Sequence, residues 1–145
     1  MQITDEIALS RCSAPDEPAR SHVLIAGRRG PSTIDGCVLE AAVQCAPGWL
    51  LFATHDVPFE EALSISLLDA QGALLDSAEL SRMYATGNFR ELRLEPPSTV
   101  HFRFFDDADW RVELHEEPKL SLPWLPDAHG VRWGRQLQRW FAVRR

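Results

Sequence analysis

The sequence predicts a mainly β fold: an antiparallel two-sheet sandwich or barrel of about 7–9 strands with hairpin connections, followed by a C-terminal helix. Three observations carry this. Apolar and polar residues alternate through successive short segments between residues 37 and 116. Turn-forming residues separate those segments. One segment, WLLFAT at 49–54, is apolar on both faces, as a central strand covered twice would be.

A chain of 145 residues is one domain on length alone, and folding at this size buries roughly 70% of the surface of the unfolded chain. It divides into a strand-rich part at 1–117, a proline-rich crossing loop at 118–127 and a basic helix at 128–145.

Ile3 to Leu9 and His22 to Ala26 read as the first two strands, and the arginines of GRRG at 27–30 as a turn. CVLEAAVQC and WLLFATH flank Ala46-Pro47-Gly48, a hairpin whose proline presets the first turn residue and whose glycine supplies the positive φ of a type II turn. LSISLL and ALLDSAEL flank Asp69 to Gly72, with glycine again suited to a left-handed position. RELRLE leads through Pro96-Pro97 into TVHFRFF, which reverses at Asp106 to Asp109 into WRVELHE.

In this last pair Val100, Phe102 and Phe104 must share a face with Trp110, Val112 and Leu114. One register that does so opposes Arg103 to Arg111. The other, preferred, sets Arg103 against Glu113 and His101 against His115, avoiding opposed like charges.

PKLSLPWLP at 118–126 holds three prolines in nine residues and reads as a loop rather than a central strand. Beyond it Trp133, Leu137, Trp140 and Phe141 fall at i, i+4, i+7 and i+8, one face of a helix, although the alternation of Leu137, Phe141 and Val143 leaves a strand as the alternative. A β domain closed by such a helix resembles the pleckstrin-homology architecture, without any motif specific to that family.

The net charge of −6 disfavours nucleic acid as a partner. The first residues carry acids and no long apolar run, which predicts neither a secretory signal nor a membrane span and points to the cytoplasm. Cys12, Cys37 and Cys45 are odd in number and lack CxxC spacing, so reduced thiols are expected. Neither GxSxG, nor a P-loop, nor SxxK with its partners occurs in a recognisable context, and no cofactor or catalytic role is expected.

Three clusters remain. In FATHDVPFEEAL at 52–63, His55, Asp56, Glu60 and Glu61 are dense in acid–base and metal-binding groups, but neighbours on an extended chain point apart, which favours a solvated connection. A metal site drawn from His101, His115, His55 and Asp56 is the alternative, set against a plain surface pair of histidines.

The tail is the most unusual feature. Arg132, Arg135, Arg139, Arg144 and Arg145 give it five positive charges on an otherwise acidic chain. These arginines neutralise the acidic body, meet an acidic protein surface or, as the third reading, bind anionic lipid or nucleic acid, which the acidic remainder of the chain opposes; tryptophan and arginine are enriched where interfaces concentrate their energy. The reading that follows is a small binding domain for an unidentified protein partner, of inhibitor, immunity or adaptor type, through Trp124, Arg132, Arg135, Arg139 and Trp140. The alternative is a domain binding a small ligand, carbohydrate or metal, or an enzyme, with an acidic and histidine-lined pocket. Homo-oligomerisation is left open.

Overall fold

The computed structural model describes residues 1–57, 60–82, 87–105, 108–121 and 130–145. Its described residues form three antiparallel sheets and no closed barrel. The central sheet has the order β1 (Gln2–Ile3), β5 (Val38–Gln44), β6 (Gly48–Thr54), β7 (Ala62–Asp69), β8 (Leu74–Ser81) and β12 (Val131–Trp133). A four-stranded sheet of β13 (Gln138–Arg144), β11 (Asp109–Leu120), β10 (Thr99–Arg103) and β9 (Arg90–Glu95) packs on one face. A three-stranded sheet of β2 (Ile7–Arg11), β3 (Arg20–Ile25) and β4 (Arg28–Asp35) packs on the other.

The period of two decides which residue meets which layer. From β6, Leu50 and Phe52 enter the larger core with Ile65, Leu67, Val100, Phe102, Val112 and Phe141. Trp49, Leu51 and Ala53 enter the smaller one with Ile7, Val23, Ile34 and Leu68. Every residue of β6 is buried, so the strand expected to be covered twice is covered twice. Each fully buried Phe, Leu or Ile contributes about 1.5–3 kcal/mol, and the larger core also gathers Phe52, Phe89 and Phe102 at ring separations of 5.1–5.3 Å.

Several expectations change. Two sheets become three because Ile3 to Leu9 is not one strand: Ile3 pairs with Val43 of the central sheet, whereas Ile7 starts β2 in the outer one. The arginines of GRRG lie partly inside a strand, since Arg28 and Arg29 open β4 and pair with Ile25 and Leu24. Gly72 takes the expected left-handed conformation, φ 84°. Gly48 does not; it opens β6, and Cys45 and Gly48 exchange both backbone hydrogen bonds around a two-residue loop, Ala46-Pro47.

Neither register considered for β10 and β11 is the one formed. His101 faces Arg111, Arg103 faces Asp109 and Phe102 faces Trp110. The turn is tighter than the sequence suggests, with Ala108 N donating to Phe105 O, and it still avoids opposed like charges because Arg103 Nε lies 3.0 Å from Asp109 Oδ1. The predicted partition of Val100, Phe102, Phe104, Trp110, Val112 and Leu114 to the core side holds.

Among the described residues there is no helix, so the expected C-terminal helix is corrected to β12 and β13, and the pleckstrin-homology likeness falls with it. The helical spacing fails physically: Leu137, which that face needs buried, is 62% exposed. Phe141 and Val143 instead enter the core as β13 completes the hydrogen bonding of β11. The crossing loop begins later than 118, since β11 runs to Leu120. Pro118 is accommodated there because β11 bulges, five residue steps from Leu114 to Lys119 facing two from Phe141 to Arg139. Residues 122–127 of that loop, with Trp124, lie outside the described residues.

Candidate functional site

The 52–63 stretch does not converge on a point. Glu61 Oε1 accepts hydrogen bonds from the backbone N–H of His55 and of Ala62, at 2.8 and 3.1 Å, closing the connection upon itself. Asp56 is exposed with φ 59°. His55 turns over the sheet instead. Ser64, Glu79 and Arg132 stand on one rung across β7, β8 and β12. His55 Nε2 lies 2.8 Å from Ser64 Oγ and 3.9 Å from Glu79 Oε2, and Arg132 Nη1 lies 3.7 Å from Glu79 Oε1. A small polar pocket of about 100 Å³ joins Ser64, Glu79 and Arg132 with Asp35, Ser66 and Ser77. Two residues that the sequence suggests for different roles, His55 and Arg132, thus flank one carboxylate that sequence reading does not single out.

The other two candidate histidines, His101 and His115, are not cross-strand partners. His101 Nε2 pairs with Glu95 Oε2 at 2.7 Å on the surface, and its strand register places it opposite Arg111 rather than His115. Among the described residues no group of three or more His, Cys, Asp or Glu is placed to hold a metal ion.

The basic tail is mostly engaged by the body. Arg144 and Arg111 both donate to Glu113, at 3.0 and 2.7 Å, which holds that carboxyl below its ordinary range. The guanidinium of Arg145 lies 5.5 Å from the Trp110 ring centre. Arg139, a partner-binding candidate from the sequence, is internal. It donates to Asp76 Oδ1 and to Gly134 O, and its guanidinium stacks on Trp133 at 4.6 Å. Asp76 is fully buried and also accepts the backbone N–H of Ser77 and of Trp140. The sequence does carry a signal for this clasp: an acid stands in the inward row of Asp76, Ala78 and Leu80, and a basic tail is at hand. Arg132 and Arg135 remain exposed.

Asp76 fixes the backbone of Trp140, and Trp140 lines an apolar groove of about 470 Å³ with Pro47, Pro97, Leu114 and His115. The β11 bulge at 115–118 stands across from Trp140. Leu114 N donates to Ser98 O, tying the Pro96-Pro97 turn to β11. Burial, with Lys119 nearby, pushes the His115 imidazole below its ordinary pKa. A histidine with a depressed folded pKa keeps its contribution to stability above the unfolded value, about 6.5, and loses it as the pH falls through the folded one. The melting temperature is therefore expected to fall below about pH 6.5, and His115→Gln to flatten that slope. Parallel melting curves of the two proteins across this range would remove His115 as the cause.

Comparison with protein-family models, with curated proteins and with solved structures finds no match for the chain. Among the described residues no helix is long and apolar enough to cross a membrane.

Proposed function

We propose that the chain is a binding domain that holds a protein partner in the groove at Trp140, in an inhibitor, immunity or adaptor role. The observation that carries this is the lining itself: a tryptophan, two prolines and a leucine gathered from four separate elements into one concave apolar surface. Aromatic anchors in such pockets dominate association energies.

A tagged chain is expected to recover a stoichiometric partner from native lysate. Trp140→Ala should weaken the purified complex by about 30-fold, and Pro47→Glu, at the groove's other wall, should do the same. Circular dichroism melts check that both variants fold. Undiminished affinity in both folded variants would end this reading.

A second reading is supported by the 2.8 Å contact of His55 with Ser64: a small polar ligand held in the serine-lined pocket. Under it, a thermal-shift series with zinc, calcium and simple sugars raises the melting temperature, since a ligand that prefers the native state stabilises it. No shift across the series removes it.

A further inference from the structure

We propose that the free edge of β5, beside β9, accepts an extended strand from a partner protein, one in which apolar residues alternate with lysine or arginine. This surface is separate from the groove at Trp140. The central sheet is incomplete on this side. β1 pairs only Gln2 with Gln44 and Ile3 with Val43, and Thr4 N adds one bond to Ala42 O. Among the described residues no strand continues along Val38 to Ala41, a stretch of roughly 13 Å at the usual rise. β9 is likewise the last strand of its own sheet.

Residues of both edges line one groove of about 520 Å³. Its apolar lining is Ile3, Ile7, Leu39, Phe89 and Leu92, and Phe89 continues inward, its ring 5.1 Å from Phe52. Ile3 is 60% exposed and Val38 41%, so the edge presents apolar side chains where a monomer usually places charges. A strand added here gains main-chain hydrogen bonds from the sheet and a place for alternate side chains in the groove.

Charge selects the occupant. Asp5, Glu40, Arg90 and Glu91 line the groove, three acids to one arginine, and Glu91 is already paired with Arg103 at 3.1 Å. The lining is therefore negative on balance, which basic residues on an incoming strand complement. A second copy of the chain fits less well. Pairing the same edge across a two-fold axis sets Glu40 near its own image and the β5 bulge between Leu39 and Ala41 against another bulge.

The test uses the whole chain and a labelled, end-capped peptide of alternating valine and lysine, about nine residues long, followed by fluorescence anisotropy. Expected results are saturable binding, at least a 10-fold loss when alternate peptide amides are N-methylated, and a similar loss when glutamate replaces lysine. N-methylation leaves charge and side chains in place, so it separates strand pairing from general attraction to an acidic protein. Glu40→Lys should weaken the valine–lysine peptide by about 10-fold, and Glu40→Gln, which keeps an oxygen for Thr54 Oγ1, by a smaller factor in the same direction. Hydrogen exchange should slow at residues 38–41 on binding. Equal binding of the N-methylated peptide, indifference to Glu40→Lys, or protection confined elsewhere would overturn the proposal. So would a dimer in sedimentation whose peptide-free form already protects residues 38–41, because a second copy would then hold the edge.

Discussion

Replacing Arg139 by alanine is expected to destabilise the fold by about 3–5 kcal/mol, a fall of about 10–15 °C in Tm, because it leaves the Asp76 carboxylate in the interior without its cation. Asp76 has no exposure to solvent, and the Arg139 side chain keeps only 11% of its own. The pair joins two sheets: Asp76 belongs to β8 of the central one and Arg139 to β13 of the outer one. Burial pushes the Asp76 carboxyl above its ordinary value, against the opposing pull of the Trp140 N–H, Arg139 and the Ser77 N–H. A carboxyl whose folded pKa is raised contributes most below its unfolded value, about 3.9, and loses that contribution as the pH rises through the folded one. Without Arg139 the folded pKa moves further up, so the deficit of Arg139→Ala relative to the parent should be largest at neutral pH and shrink toward about pH 4. Urea unfolding at the two pH values measures this. Joint replacement by Asp76→Leu and Arg139→Met should recover only part of the loss: it removes the uncompensated charge but leaves the N–H groups of Ser77 and Trp140 without their acceptor. A single-variant loss under about 1 kcal/mol at neutral pH would show that the clasp is solvated.

The same residue shows where sequence reading stops. Arginines near tryptophans mark interfaces, which makes Arg139 a partner-surface candidate, yet an arginine beside a buried acid serves the interior equally well, and only the fold chooses. Strands are legible because a period of two is local: β9 is the expected RELRLE, and the inward rows of β10 and β11 are the predicted ones. Their register is not, because it depends on how many residues the turn takes up, and that turn is shorter than the run of acids suggests. In the outer three-stranded sheet β3 falls where a strand is expected, at His22 to Ala26, but β4 escapes sequence reading for a related reason. β4 reads RRGPSTID, with glycine and proline inside it and little alternation, because it covers the core mainly through Ile34. The groove is illegible as a whole. Its walls come from residues 46–47, 97–98, 114–116 and 140, brought together by two turns and a bulge that no short window of sequence contains.

Gly48→Ala is expected to cost about 3 kcal/mol, the upper end of the usual penalty for overfilling a packed site. The sequence suggests that glycine is needed there for a positive φ, but Gly48 lies in ordinary strand conformation at the start of β6. What excludes a side chain is the neighbouring strand. A β-carbon at Gly48 would overlap Leu68 O and the carbonyl of Asp69, which are backbone atoms held in the β6–β7 ladder and cannot rotate aside. Gly27 provides the contrast. It has φ 79° and no atom within 4 Å of the place a methyl group would take, so Gly27→Ala should lose only the left-handed penalty, about 1–2 kcal/mol. Chemical denaturation of the two variants separates crowding from conformation: equal losses would return Gly48 to the turn-conformation explanation. The larger effect also reaches the groove. Gly48 is hydrogen-bonded to Cys45 across Ala46-Pro47, so backbone displaced at Gly48 carries Pro47 with it. In a Gly48→Ala protein that still folds, partner affinity should therefore fall, whereas Gly27→Ala, in a turn of the other outer sheet, should leave it unchanged.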